Sequence, residues 1–309
     1  MESSPSLENI QIAFSPDSLV LLNFCLGFIM FGVALGIDSK DFQQLRKNPK
    51  AAIAGALSQF ILLPLLTFLL ILVFQPHPAL ALGMILVASC PGGNISNFFS
   101  SIAGANLSLS VSLTALATFL SPVFTPFNFE FYSNLVSGTR EFLTVFELSF
   151  LNMLKTTLIL LVVPLILGLV FRNYLPKLTR VIEKPIRILS MLVLFGFIII
   201  GLLNNFDAFL EHIHLVFLLV LLHNGLALLG GYLTGKTFRL KYDLSRTVII
   251  ETGIQNSGLG LIIIFNFFDG NGGMAMIAAW WGIWHIISGM SLAYFFKYRD
   301  RKITARSLS

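Results

Sequence analysis

Apolar residues in this chain are gathered into runs of about 20 that recur along its whole length. A run of that length forms an α-helix long enough to cross the ~30 Å hydrocarbon core of a bilayer. The pattern therefore predicts an all-α polytopic membrane protein. About nine spans are predicted, near residues 18–37, 50–74, 78–104, 107–127, 149–171, 186–205, 212–235, 246–269 and 273–296.

The composition agrees with this class of protein. Hydrophobic residues make up 56% of the 309 positions and charged residues 11%, which leaves no room for a sizeable soluble domain. The net charge of +5 does not indicate a nucleic-acid partner, because membrane topology by itself requires basic loops. Cys25 and Cys90 both lie in apolar surroundings and predict neither a disulfide framework nor a metal site.

The distribution of basic residues predicts the orientation. All but two of the 20 lysines and arginines lie on one side of the predicted spans, the exceptions being Arg140 and Lys155. Cytoplasmic loops carry such an excess. With nine spans, the N-terminal segment 1–17 is expected outside and the tail 297–309 in the cytoplasm. Segment 1–17 has no lysine or arginine and so does not match the start of a signal peptide. Residues 128–148 are expected to form an external loop or a short surface helix.

Two of the predicted spans contain helix-breaking residues. The first interruption is SCPGGNISNFFS, from Ser89 to Ser100, and the second is IETGIQNSGLG, from Ile250 to Gly260. Proline and glycine free backbone groups that lipid cannot satisfy, so each break must be buried in protein or line a wet cavity. One break lies in each half of the chain. Paired broken helices near the bilayer midplane indicate the binding site of a secondary transporter.

Glu251 adds a carboxylate to the second break. A carboxylate at mid-span costs ~2.5–3.5 kcal/mol even on the gentler insertion scale, so Glu251 must face a partner or water. No lysine or arginine is placed to pair with it at membrane depth, which leaves a cation or a proton. Ser110 and Thr114, four residues apart on one helix face, supply further oxygens. The alternative is that Glu251 lies near the cytoplasmic interface.

These motifs resemble the bile acid:sodium symporter family. The resemblance is carried by SCPGGNISN, LSLSVSLTALATFLSPVFTP, LLHNG at 221–225 and IETGIQNSGL, with FIMFGVALGI and SQFILLPLL upstream, and it covers residues 20 to 295. It implies an inverted five-helix repeat whose first helix is missing here, which gives nine helices. It also implies a core domain with two crossed discontinuous helices (about 50–127 and 212–296) and a panel domain (about 18–37 and 149–205).

The resemblance further implies two sodium sites and a substrate site at the helix crossing. The first sodium site would use Ser96, Asn97, Ser110, Thr114 and Glu251. The second would use Gln59, Glu251, Gln255 and the carbonyl oxygens of Thr252 and Ile254. Substrate contacts would come from Asn94, Asn256 and His285. Where relatives have Asn after this histidine, the present chain has Ile286, so the identity of the substrate is not implied.

The predicted function is sodium-coupled symport of a small organic anion by alternating access, in a bacterial inner membrane. The anion would be bile-acid-like, or a carboxylate such as a keto or hydroxy acid. A proton-coupled or uncoupled organic-anion carrier is the nearest alternative, because Glu251 could carry a proton. An intramembrane enzyme is not expected, because the sequence has neither an aspartyl dyad at membrane depth nor a zinc motif. Charge of the substrate and oligomeric state stay open.

Overall fold

The computed structural model describes residues 16–37, 41–144, 151, 154–155, 158–204 and 206–307, and this part of the chain is almost entirely helical. In chain order the helices of the first half are α1 (Pro16–Gly36), α2 (Asp41–Lys47), α3 (Pro49–Leu57), α4 (Leu63–Phe74), α5 (Pro78–Ser89), α6 (Ile95–Ile102), α7 (Leu107–Leu135) and α8 (Thr139–Thr144). Those of the second half are α9 (Val163–Tyr174), α10 (Pro176–Asn204), α11 (Phe206–Thr237), α12 (Tyr242–Gly253), α13 (Ser257–Phe267) and α14 (Gly272–Ser307).

Two π-helical turns join or precede α-helices. Residues Ser58–Leu62 connect α3 to α4 without a break, and Leu158–Val162 lead into α9. Four helical stretches in the described residues are long and apolar enough to cross a bilayer: Pro49–Phe74, Leu107–Leu135, Val216–Thr237 and Gly272–Lys302. Shorter apolar helices cover Asn23–Gly36, Pro78–Ser89, Leu158–Tyr174 and Ser257–Phe267. The chain is thus a helical membrane protein.

Both predicted interruptions are present. The first separates α5 from α6, and the second separates α12 from α13. None of these four helices is long enough to cross a bilayer by itself, because about 20 residues are needed. The breaks therefore fall within the depth of the membrane, as the sequence predicted.

Several helices extend beyond the predicted spans. Helix α7 continues to Leu135 through Pro122 and Pro126, so residues 128–135 are helical and not part of an external loop. Helix α10 begins at Pro176 instead of near residue 186, and α14 continues through most of the predicted tail. Hydropathy marks where the apolar run ends, whereas the backbone hydrogen bonds continue into polar residues. Residues 145–148 of the predicted loop lie outside the described residues.

Helices α5 and α13 form the centre of the molecule. Every residue of α5 from Ala79 to Ser89 is buried, and so is every residue of α13 from Ser257 to Phe265. Both helices are apolar on all sides, the pattern of a helix surrounded by others. Helix α14 packs against both. Helix α1 packs chiefly against α9 and α10 and also contacts α13.

Large apolar side chains cover the outer faces of the long helices. Examples are Leu65, Leu69 and Val73 on α4 and Phe119 and Val123 on α7, all of which are exposed. Such a continuous exposed apolar surface is incompatible with water and suits lipid. Its presence agrees with the membrane class predicted from the sequence.

Candidate functional site

The two broken segments cross and satisfy each other's backbone groups. The N–H of Gly93 donates to the carbonyl of Ile254 at 2.8 Å, and the N–H of Asn256 donates to the carbonyl of Pro91 at 2.8 Å. Gly92 and Gln255 thereby form an isolated antiparallel bridge. Each bond pairs backbone groups that would cost several kcal/mol if they were left without a hydrogen-bond partner in lipid. The crossing is therefore a fixed structural element.

Glycine is required at this crossing because the backbones of the two broken segments nearly touch. A Cβ atom on Gly93 would lie 3.0 Å from the carbonyl oxygen of Gln255. A Cβ atom on Gly92 would lie 3.2 Å from Oε2 of Glu251 and 3.7 Å from Oε1 of Gln59. Members of both predicted groups of cation ligands thus lie next to Gly92, close to one another.

Glu251 lies at the centre of a group of hydroxyls from two other helices. Its side chain is buried, and its Oε1 atom accepts hydrogen bonds from Ser96 Oγ at 2.6 Å and Ser110 Oγ at 2.5 Å. Its Oε2 atom accepts from Thr114 Oγ1 at 2.9 Å. We call Ser96, Ser110, Thr114 and Glu251 the carboxylate cluster. Within the described residues no lysine or arginine forms an ion pair with Glu251.

The carboxylate cluster has more acceptor oxygens than protons to share. Thr114 Oγ1 also lies 3.1 Å from the carbonyl of Ser110, and its single proton serves one of these two acceptors at a time. Asn97, the next residue after Ser96, has a buried Oδ1 atom with no hydrogen-bond partner among the described residues. Such a surplus of buried oxygen acceptors is what a hard cation requires.

A second group of polar residues lies beside the crossing. Gln59 Nε2 donates to Gln255 Oε1 at 2.6 Å and to the carbonyl of Cys90 at 3.0 Å, and Gln255 Nε2 donates to the carbonyl of Thr252 at 2.7 Å. Both glutamines are almost fully buried. We call Gln59, Gln255 and the carbonyls of Cys90 and Thr252 the amide cluster. The carbonyl of Ile254, also predicted as a ligand, is engaged by Gly93 in the crossing.

Two of the three predicted substrate contacts, Asn94 and Asn256, adjoin the crossing, and the third, His285, lies on α14. Asn94 precedes α6 without capping it, and Asn256 caps α13 by accepting the N–H of Leu259 at 3.1 Å. The first turns of α6 and α13, with their positive dipole ends, therefore start at the crossing. His285 on α14 is buried, and its Nδ1 atom has no hydrogen-bond partner among the described residues. Ile286 packs against an apolar cluster that includes Phe99 and Ile254.

Some residues that hold the site together were not singled out from the sequence. Asn224 Nδ2 donates to the carbonyl of Gly253 at 2.7 Å, the last carbonyl of α12 before the break. Ser58 Oγ accepts from Thr252 Oγ1 at 2.8 Å. Asn224 belongs to the LLHNG motif, and a polar residue at mid-span was the signal that could have identified it. The carbonyl of Cys90 carries no such signal, because its role depends on backbone position alone.

Comparison with known proteins gives a consistent result. Residues 23–212 match the model of the Sodium Bile acid symporter family. The chain is 32% identical over 285 residues to "Uncharacterized sodium-dependent transporter YocS" of Bacillus subtilis (strain 168), which covers 92% of this chain and 85% of the relative. It is 31% identical over 273 residues to "Probable sodium/metabolite cotransporter BASS1, chloroplastic" of Arabidopsis thaliana, with coverage of 87% and 64%. It is also 31% identical over 269 residues to "P3 protein" of Homo sapiens, with coverage of 85% and 54%.

Proposed function

Because the chain belongs to the sodium bile acid symporter family, we propose that it couples the entry of sodium to the uptake of a small organic anion. The family consists of transporters and not of enzymes, and sodium is its coupling ion. The relatives from Bacillus and Arabidopsis carry names of a sodium-dependent transporter and a sodium/metabolite cotransporter. The chain spans most of the Bacillus relative but only about half to two thirds of the other two.

The observation that carries the proposal is the carboxylate cluster. Two helices, α6 and α7, bring oxygen atoms to Glu251 of α12, which is buried in a membrane protein and lacks an ion pair within the described residues. A sodium ion bound among these oxygens would neutralise the carboxylate and join α6, α7 and α12. The partnerless Oδ1 atom of Asn97 would supply a further oxygen.

We assign a second sodium ion to the amide cluster together with Glu251. Amide and carbonyl oxygens from Gln59, Gln255, Cys90 and Thr252 converge there, beside Gly92. In the present arrangement the amide nitrogens of the two glutamines donate to oxygens of the same cluster. A bound ion would need these oxygens as ligands and would therefore compete with the hydrogen bonds. The glutamine side chains would have to turn their own amide oxygens toward the ion.

The anion is assigned to the crossing itself. The N-terminal ends of α6 and α13 favour a negative group, and Asn94, Asn256 and His285 are its proposed polar contacts. The buried Nδ1 atom of His285 has no partner among the described residues and supports this role. Ile286 replaces a polar residue of relatives with an apolar one, which favours an anion with an apolar body over a small, fully polar one.

The architecture that follows is a nine-helix inverted repeat divided into two parts. We define the panel as α1, α9 and α10, which pack on one another, and the core as the helices that surround the crossing. Transport would proceed by alternating access as the core moves against the panel. The basic loops would face the cytoplasm of a bacterial cell, with the N-terminus outside and the C-terminus inside. A membrane-impermeant maleimide should then label Gln75→Cys in intact cells, and Lys236→Cys only after permeabilisation. The opposite pattern would reverse the orientation.

The experiment that tests sodium binding compares thermal unfolding in sodium chloride and in potassium chloride at equal ionic strength. A ligand at a hundred times its dissociation constant stabilises the folded state by ~2.7 kcal/mol. The wild-type protein should therefore unfold at a higher temperature in sodium. Glu251→Gln and Ser110→Ala should lose the difference wholly or in part.

Ser112→Ala is the matched control, because Ser112 lies on the same helix and donates to the carbonyl of Ser108 instead of to Glu251. Its sodium response should equal that of the wild type. Identical unfolding curves of the wild type in both salts would contradict sodium coupling. Anion uptake driven by a pH gradient without sodium would then favour the proton-coupled alternative, in which Glu251 carries the proton.

A further inference from the structure

Arg246 is a buried arginine that the proposed transport site does not use. It lies in the second turn of α12, and its side chain is 2% exposed. Its Nη1 and Nη2 atoms donate to the two carboxylate oxygens of Asp300 at 2.7 and 2.6 Å, in a bidentate ion pair. Asp300 lies near the end of α14 and its side chain is 42% exposed. A bidentate ion pair of this kind fixes the relative orientation of the two side chains and also compensates their charges.

The guanidinium group is enclosed on its other sides. Its Cζ atom lies 3.9 Å from the ring centre of Tyr242 and 4.6 Å from that of Phe296. Its Nη1 atom also donates to the carbonyl of Ala103 at 2.5 Å. The next residue, Gly104, has φ +62°, and a Cβ atom there would lie 3.1 Å from Nη1. The chain after α6 is therefore shaped around Arg246.

This part of the chain, residues 103–106, is the connector between α6 and α7. Asn106 caps α7 by accepting the N–H of Leu109 at 2.9 Å, and its own amide donates to Asp243 Oδ2 at 3.2 Å. The N–H of Asn106 donates to Thr247 Oγ1 at 3.0 Å. The connector is thus attached to the first turns of α12 at both of its ends, by Arg246 and by Asn106.

The connector leads directly into the carboxylate cluster. The N–H of Ser110 donates to the carbonyl of Asn106 at 2.9 Å, so the start of α7 determines where Ser110 lies. Ser96 lies at the start of α6, whose last turn runs into the connector, and Glu251 lies five residues after Arg246 on α12. The three helices that supply the cluster therefore meet at Arg246, and Asp300 adds α14 to them.

We propose that Arg246, held by Asp300, is a positioning residue that sets the sodium affinity of the carboxylate cluster. The pair fixes the connector against α12, and the connector fixes Ser96 and Ser110 around the Glu251 carboxylate. The inference rests on the proposed function, because it assumes that sodium binds at this cluster. It extends control of the site to an exposed carboxylate near the C-terminal end of α14.

A purely structural role makes a different prediction. Removing one partner of a buried ion pair leaves the other charge uncompensated and lowers stability in every salt. A positioning role in addition weakens sodium binding, because the hydroxyl groups no longer converge on one point. The two roles are separated by the dissociation constant for sodium, obtained by fitting how the thermal shift grows with sodium concentration. A loss of stability common to all salts leaves that constant unchanged.

The experiment is a sodium titration of the thermal shift on the full chain, with potassium replacing sodium at constant ionic strength. In Asp300→Ala the dissociation constant for sodium should rise about twofold to thirtyfold, the range for residues that act on a site at a distance. Asp300→Glu keeps a carboxylate that can reach Arg246 and should restore the wild-type value. Lys302→Gln removes an exposed charge two residues away on the same helix and should leave the value unchanged.

Asp300→Asn serves if the alanine variant fails to fold, because it keeps the shape of the side chain while removing its charge. An Asp300 variant that unfolds earlier in both salts but keeps the wild-type dissociation constant for sodium would overturn the positioning role. A wild-type protein without any sodium shift would instead refute the proposed function, and this inference with it.

Discussion

Gly93 occupies the closest approach between the two broken segments. A methyl group at this position would lie 3.0 Å from the carbonyl oxygen of Gln255 and would push the segments apart. We expect Gly93→Ala to lower the free energy of unfolding by about 1–3 kcal/mol, the usual cost of overpacking. The measurement is the thermal midpoint in potassium chloride. Gly225→Ala on α11 is the control, because a Cβ atom there meets nothing within 4 Å and alanine favours a helix.

The two proposed sodium sites can be told apart by counting the sodium ions that each variant binds per chain. Gln59→Leu should reduce the binding of radioactive sodium at saturation from two ions per chain to one, because Gln59 belongs to the amide cluster alone. Glu251→Gln should abolish both, since its carboxylate is assigned to both. Equilibrium dialysis measures the ratio directly. An unchanged ratio in Gln59→Leu would remove the amide cluster from the sodium sites.

The sequence identified most residues around the crossing but missed Arg246. Glu251 was recognisable because a carboxylate at mid-span needs a partner. Gln59 and Gln255 are 196 positions apart, and only the family resemblance suggested that they meet. Arg246 was counted among the basic loop residues that set orientation. Its burial depends on Phe296 and Asp300, 50 and 54 positions later, and no local pattern encodes that contact.

At the scale of single elements, the π-helical turn Ser58–Leu62 has an identifiable cause and a specific partner. Pro64 has no N–H, so the carbonyl of Phe60, four residues earlier, loses the bond that a regular helix would give it. Asn128 on α7 donates its amide to that carbonyl at 2.8 Å and is buried. The same turn presents Gln59 to the amide cluster. Asn128 therefore compensates for the proline that shapes one of the proposed sodium sites.

We expect Asn128→Ala to destabilise the protein by about 1–3 kcal/mol, the cost of a buried carbonyl left unsatisfied. Thermal unfolding in potassium chloride measures the loss. Asn134→Ala is a close control, because Asn134 lies on the same helix and also donates to a backbone carbonyl, at 2.8 Å from Glu130, but is exposed. Equal losses in the two variants would mean that the Phe60 carbonyl finds another donor.

Helix interruptions were predictable from the sequence, whereas helix ends were not. Pro91 and the glycines at 92, 93 and 253 marked the breaks, because those residue types act locally. Helix α7 continues through Pro122 and Pro126, since tertiary contacts keep its two halves aligned. Helices α10 and α14 continue into charged residues that hydropathy assigns to loops. A membrane boundary and a helix boundary are different physical limits.

At the scale of the whole molecule, a single polar contact is known between the proposed panel and core among the described residues. Asn266 Nδ2 on α13 donates to Asn23 Oδ1 on α1 at 2.7 Å. Beside this bond, Leu160 and Leu161 of the π-helical turn before α9 line a small apolar cavity together with Leu259 and Ile262 of α13. Apolar surfaces slide with little directional cost, whereas a hydrogen bond must break. The Asn23–Asn266 contact therefore marks where relative motion can be arrested.

We expect a covalent link between Asn23→Cys and Asn266→Cys, in a background with Cys25 and Cys90 replaced by alanine, to stop transport while preserving sodium binding. A short bis-methanethiosulfonate reagent makes the link, and a reductant removes it. The readouts are the sodium thermal shift and sodium-driven uptake of cholate, or of the organic acid that stabilises the protein most in sodium.

The control link joins two helices of the same part. Phe31 on α1 and Phe171 on α9 are in edge-to-face contact at 5.7 Å, so Phe31→Cys and Phe171→Cys place the reagent within the panel. Alternating access requires motion between panel and core but not within the panel. Uptake should therefore continue in the variant with the control link. In the variant linked between positions 23 and 266, uptake should be restored when the reductant is added. Full uptake through the linked Asn23–Asn266 pair would mean that these two helices move together, and the boundary between panel and core would have to lie elsewhere.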